Sequence, residues 1–150
     1  REYIPIGFLA KDIIILDSAM AVYDPELWLF SLLTSRIHMV WVKAIGGKLE
    51  TRYRYSASVI YNNFPIPQLS ESHKQKLIEN TLKILSIREN YSERSIADLY
   101  HVEKMPQDLR EAHLDNDLFV DSLYKKNKFQ SDESRLEALF NLYEKQVKGW

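Results

Sequence analysis

The stretch GGKLETRYRYSASVIYNNFPIP, residues Gly46 to Pro67, decides how the chain is read. It opens on a Gly-Gly break. It closes on two prolines, which force an extended exit and exclude both helix and central strand there. The run between holds Tyr53, Tyr55 and Tyr61 together with Val59 and Ile60, a strand-type composition. Read as one strand over residues 48–61, successive side chains point to opposite faces. Glu50, Arg52, Arg54, Ser56 and Ser58 then share a polar, mostly basic face. Leu49, Thr51, Tyr53, Tyr55, Ala57, Val59 and Tyr61 share an apolar, aromatic one. The pattern predicts charged side chains offered to a partner from a rigid support.

The totals bound what that partner can be. The chain has 150 residues, enough for one ordinary domain or two small ones, and its 45% hydrophobic and 27% charged content is that of a water-soluble globular protein. Four glycines are few and favour helix over a turn-rich β fold. A net charge of −1 argues against indiscriminate nucleic-acid binding but leaves room for a local basic face. Residues 1–70 hold 7 Lys/Arg against 6 Asp/Glu and residues 71–150 hold 13 against 15, so any basic excess is local: Lys43, Lys48, Arg52 and Arg54, opposed only by Glu50. No cysteine is present, which rules out disulfides and Cys-based zinc sites and fits a cytoplasmic location. Ile13 to Leu16 is too short for a membrane span or a signal-peptide core, so no membrane association is expected. Arg1 opens directly in an extended run, which predicts a fragment of a longer protein.

Working outward, residues 2–22 predict two short strands: Ile4, Ile6 and Phe8 alternate, and Ile13 to Leu16 is a continuous apolar run. Asp17 and Ser18 fall at a loop tip, where they can cap a turn or reach a ligand. One long helix follows, with Asp24 as N-cap, Pro25 in the first turn and Gly46-Gly47 as its stop. Its apolar positions are Leu27, Phe30, Leu33, Ile37 and Ala44, with Val40 or Trp41 between; Ser35, Arg36 and His38 interrupt it. His38 reads as a hydrogen-bonded, half-buried histidine. From Ser70 the pattern is helical: to about Arg88, over Ile96–Tyr100, from Pro106 to about Lys125, and from Ser131 onward. The fold class expected is therefore α+β, with short strands around one long helix and then a mostly helical subdomain. The domain boundary is expected at 69/70, giving units 1–69 and 70–150.

No motif in the chain carries catalysis: GxGxxG, the Walker loop, HExxH and GxSxG are all absent. His113 and Asp117 are four apart on one helix, a spacing that suits a metal but also ordinary helix pairing, and without a second cluster no metal site is assigned. The strand face offers more. Arg is the preferred bidentate reader of guanine and a carboxylate accepts from cytosine N4. Glu50 and Arg52, about 7 Å apart along a strand, could read one G·C pair. A salt bridge on a solvated sheet face is the alternative, and side-chain chemistry alone leaves both open.

The run DPELWLFSLLTSRIHMVWVKAIGGKLETRYRYSASVIYNNFPIP resembles the end of the target-recognition domain of MmeI-like enzymes, single-chain DNA adenine methyltransferases that are often fused to a nuclease. SIADLYHVEKMPQDLREAHLDNDLFVDSLY and SRLEALFNLYEK resemble the helical C-terminal domain of the same family. The resemblance implies double-stranded DNA as partner. It also implies a methyltransferase domain in the same polypeptide, with S-adenosylmethionine bound and adenine N6 methylated outside these residues. It places Glu50 and Arg52 on the base-reading surface, with Asp17 and Ser18 as a second reading position. Lys48 and Arg54 would contact the DNA backbone or support the readers, with Arg36 and Asn62 as outer candidates. No cofactor and no catalytic residue is assigned within the 150 residues. A protein-interaction or structural helical module without DNA contact is the rival reading.

Overall fold

The computed structural model describes residues 2–16, 19–49, 52–53 and 55–149. Six helices dominate them: α1 Leu27–Leu33, α2 Arg36–Ile45, α3 Glu71–Glu89, α4 Ile96–Leu99, α5 Gln107–Tyr124 and α6 Asp132–Lys148. Between α2 and α3 come two short arms, β1 Lys48–Leu49 and β2 Arg52–Tyr53, and a π-helical turn, Ala57–Tyr61. The α+β expectation is thereby overturned: among the described residues the structure is helical, and the sole ladder is an antiparallel pairing of two residues with two.

Three physical causes account for the difference. Residues 2–16 form no helix and pair with no strand among the described residues, and they turn at Lys11-Asp12, where the Ile13 N–H bonds to the Ala10 carbonyl at 3.2 Å, so their apolar pattern makes no ladder. The predicted long helix is two helices. Ser35 acts as N-cap, its hydroxyl accepting from the His38 N–H at 3.4 Å, and it restarts the helix that Thr34 has ended. Asp24 is no N-cap: it takes a positive φ of 44°, which Asp tolerates in turns, and helix α1 begins at Leu27. Beyond Tyr53, Ser56 caps the Val59 N–H and curls the strand-like sequence ASVIY into the π turn.

The later helices follow their sequence signals. Ser70 and His73 form a reciprocal capping box at α3, as do Ser131 and Ser134 at α6. Asp132 and Glu133 lie in the first turn of α6 and Lys145 and Lys148 in its last, each sign matched to the helix dipole.

Helix α1 packs on α3, α3 on α5, and α2 on α5 and α6. One core gathers Leu32, Ile37, Trp41, Ile60, Phe64, Leu77, Val120 and Leu139; a second gathers Tyr3, Phe30, Ile84, Tyr100, Leu109 and Ala112. Both combine residues from before and after Leu69. A buried polar seam joins α1, α3 and α5: Asn116 Nδ2 donates to the Ser31 carbonyl at 2.9 Å, Asn80 donates to Asn116 at 3.1 Å, and the Ser31 and Thr81 hydroxyls meet at 2.8 Å. Burying such groups is tolerated because each finds a partner.

Candidate nucleic-acid interface

Helix α2 carries the candidate site at its C-terminal end, and its N-terminal end is fixed by two groups. Ser35 caps it, and Asp117 of α5 accepts the Arg36 N–H at 2.7 Å and the Tyr3 hydroxyl at 2.8 Å. A carboxylate at a helix N-terminus faces the positive end of the dipole. Burial nevertheless pushes the Asp117 carboxyl up to about 7, against the pull of these two donors. Beside it, His113 stacks on Tyr3 at 4.4 Å and its Nε2 meets the Tyr100 hydroxyl at 2.7 Å. The two residues with metal-type spacing are thus occupied by protein partners, and no three metal-ligating side chains converge among the described residues.

At the other end, the Gly46 N–H donates to the Val42 carbonyl at 2.8 Å, and the chain leaves at once into β1. Leu49 pairs with Arg52 and Lys48 with Tyr53, so the chain reverses between the arms. Lys48 is therefore on the first arm and Arg52 on the second, not on one continuous strand as the alternation predicted. Glu50, Arg54, Asp17 and Ser18 are outside the described residues.

The return side of the hairpin is anchored beneath. His38 is buried without exposure, packs its ring against the edge of Phe64 at 4.4 Å, and meets the Tyr55 hydroxyl through Nε2 at 2.9 Å. Its Nδ1 has no partner. An orphaned acceptor is the more tolerable defect, so the proton belongs on Nε2, which donates to Tyr55. Burial pulls the His38 imidazole down to about 3, so it is neutral at physiological pH. Trp41 Nε1 donates to the Ile60 carbonyl at 3.1 Å, holding the π turn on α2. Asn63 Nδ2 donates to the carbonyls of Ser58 at 2.7 Å and Val59 at 3.1 Å. A shallow cleft beside the hairpin is lined by Gly46, Gly47, Tyr55, Ser56, Val59 and Ile60.

The other candidates separate from this end. Arg36 begins α2, about 13 Å along a helix of 10 residues from its last residue, Ile45. It is ion-paired to Asp132 at 2.9 Å with half its side chain exposed. Asn62 is exposed at the end of the π turn, its N–H bonded to the Ala57 carbonyl. Sequence reasoning placed Tyr55 beneath the readers and His38 within α2. It missed Trp41 and Asn63 as anchors; the indole N–H of a buried Trp, which must find an acceptor, was the available signal.

The two short arms that hold Lys48 and Arg52 thus follow a helix whose other end is pinned by Asp117 of α5. The chain's relatives modify DNA. The chain is 44% identical over 144 residues to DNA methyltransferase A of Bacillus subtilis (strain 168), a match covering 96% of this chain and 16% of the relative. It superposes with a TM-score of 0.79 and 39% identity on the solved structure of the Type IIL restriction-modification enzyme MmeI in complex with DNA, covering 83% of this chain and 17% of that one. Residues 1–68 match the family model "MmeI, target recognition domain" and residues 69–149 match "MmeI, C-terminal domain". The chain belongs to the MmeI family, with these two domains in that order. It spans about one sixth of the length of the relatives it matches, 16% and 17%. No described helix is long and apolar enough to cross a membrane.

Proposed function

We propose that the chain is the sequence-reading end of a longer, cytoplasmic, S-adenosylmethionine-dependent DNA adenine-N6 methyltransferase, with or without an attached endonuclease. Residues 1–69 form the last part of its target-recognition domain and residues 70–150 a helical C-terminal domain. The observation that carries this reading is the pairing of the arms Lys48–Leu49 and Arg52–Tyr53 just beyond the end of α2, inside a chain that matches the target-recognition model. Methyl transfer and cofactor binding belong to residues outside this chain, which has no glycine-rich cofactor loop. The partners are double-stranded DNA and the methyltransferase domain of the same polypeptide.

In this reading Glu50 and Arg52 contact base edges, and Asp17-Ser18 is the second reading position. Lys48 and Arg54 serve the DNA backbone or support the readers, with Arg36 and Asn62 at the margin. Removing a bidentate base contact costs about 1–3 kcal/mol and relaxes specificity at one position. Removing a phosphate contact weakens all sequences alike and lowers the salt slope by about one unit. The test is single-molecule mapping of methylated sites made by the longer enzyme with Glu50→Ala and Arg52→Ala, separately and together. A changed base at one position of the recognised sequence supports the assignment. An unchanged site list at full activity refutes it.

A further inference from the structure

Beyond Phe8, which still stacks on Phe30 at 5.6 Å between ring centroids, the described residues 9–16 and 19–26 lie outside the two cores, and the chain is clamped to the body on either side of them. Before them, Tyr3 is buried with its hydroxyl on Asp117, and the Ile6 carbonyl accepts from Arg88 Nη1 at 2.6 Å. After them, the Leu27 carbonyl accepts from the Thr81 hydroxyl at 2.9 Å and Phe30 is buried. Between the clamps the described residues form no helix and no ladder, and only the N–H groups of Ile13 and Ala19 find backbone partners. A long excursion without helix or ladder among its described residues is uncommon inside a compact domain and is usually either functional or a linker.

Its composition is the reverse of a solvated loop. Ile14 is 89% exposed, Tyr23 86% and Leu16 72%, and Leu9, Ile13 and Met20 are also about half exposed or more. Scattered exposed apolar residues need no cause, but a contiguous set on one segment marks a covered surface. We propose that residues 9–16 and 19–26 are an apolar strap that docks on the remainder of its own polypeptide, on an apolar surface outside residues 1–150, leaving Asp17 and Ser18 out of the docked surface. This rests on the reading of the chain as part of a longer enzyme. Two observations favour that occupant over a second copy. The relatives carry more than four fifths of their length outside the matched region. The strap is also tethered at both ends to one body, which keeps it beside its own chain at high effective concentration.

The test uses the full-length enzyme and thiol labelling, read peptide by peptide by mass spectrometry. Ile14→Cys and Leu16→Cys probe the strap; Leu82→Cys, at an α3 position 51% exposed, is the open control. Docking makes the thiols at 14 and 16 react on the order of 100-fold more slowly than the one at 82, because each must wait for a local opening. Equal rates overturn the proposal. Slow labelling that appears only at concentrations where the enzyme elutes as a dimer assigns the cover to a second copy and also overturns it. If the variants fail to accumulate, hydrogen exchange of the unaltered enzyme decides: slow amides at Ile13–Leu16 support docking, and free-chain rates refute it. DNA methylation by the same preparation is scored separately. Protected strap residues in an enzyme that methylates no DNA would support the docking and refute the function; exposed ones in an active enzyme would do the opposite.

Discussion

Gly46→Ala isolates the joint between α2 and the hairpin. Gly46 has φ −70° and ψ 132°, a conformation open to any residue, so glycine is required there for space and not for backbone freedom. A Cβ would stand well inside van der Waals distance of the Val42 carbonyl oxygen and 3.1 Å from Ile60 Cδ1. That oxygen is backbone within a helix, and Ile60 is buried without exposure, so neither yields cheaply. Relief requires β1 to swing away, which stretches the Gly46 N–H bond to Val42. Losing that bond costs about 0.5–1.5 kcal/mol, and the overpacking about 1–3 kcal/mol. The sum, about 1.5–4.5 kcal/mol, lowers the melting temperature by roughly 3–18 °C for a domain of this size. Gly47 is the internal control: an added Cβ there meets nothing within 4 Å, and no described glycine has positive φ. Gly47→Ala should therefore be neutral or stabilising by about 0.4–1 kcal/mol through the unfolded state. Thermal melts followed by circular dichroism measure both. Methylation by the longer enzyme carrying Gly46→Ala should fall because the hairpin is re-aimed. A Gly46→Ala protein that melts with the parent, or a Gly47→Ala protein that falls equally, refutes the steric account.

Other consequences concern the buried charges. Asp121 and Arg135 pair at 2.6 Å with side chains only 10% and 12% exposed, and Asp121→Ala leaves the guanidinium with Asp132 at 3.1 Å as its remaining carboxylate partner among the described residues, costing up to about 3–5 kcal/mol. Adding Arg135→Met should restore most of that loss in urea denaturation, and simple additivity of the two changes would contradict the buried-pair argument. The imidazoles of His38 and His113 are held down to about 3 by burial, so unfolding becomes easier as pH falls from 6.5 towards 3. Their ring proton resonances should not titrate between pH 7.5 and 5; a midpoint near 6.5 for either would refute neutral burial. Asp117 has the opposite sign. Its carboxyl is raised, so its stabilisation is complete below pH 3.8 and is lost as pH rises through about 7. Asp117→Asn should remove that loss, seen as a smaller difference in denaturation midpoint between pH 5 and pH 8 than in the parent.

The helices after Ser70 were legible because they carry their boundaries in the sequence. Ser70 and Ser131 are capping residues, and Pro106 stands immediately before α5. The break at Thr34-Ser35 was written in the same code, but a strong apolar repeat on either side masked it. The β reading failed for a different reason. Alternation in residues 48–61 reports which way side chains point and says nothing of whether the chain continues straight. The reversal between Leu49 and Arg52 and the cap by Ser56 are local events that period-2 arithmetic cannot register. Ile4, Ile6 and Phe8 alternate as well and make no ladder, because a strand needs a partner and the described residues supply none. The anchoring of the hairpin by Trp41 on Ile60 and His38 on Tyr55 joins positions 19 and 17 apart, a pairing created by tertiary packing.

The arrangement also explains why the two matched domains occur together. Helix α2 belongs to the first, yet the groups that fix its orientation belong largely to the second. Asp117 of α5 holds its N-terminus, and Phe140 and Tyr143 of α6 flank Trp41 at 5.7 and 5.9 Å between ring centroids. Further along, Tyr124 donates to the Pro65 carbonyl at 2.9 Å and Gln146 to the Ile66 carbonyl at 2.8 Å, so α5 and α6 also hold the proline-bounded exit. The hairpin at the end of α2 can be no better aimed than the helix that carries it. A device that must discriminate bases needs its side chains held to fractions of an ångström. A lone helix of 10 residues cannot supply that, being marginal in water without tertiary contacts. The C-terminal helices supply it by burying α2 on the side opposite the solvent. On the reading proposed above, the helical domain would act on recognition by fixing where the arms stand.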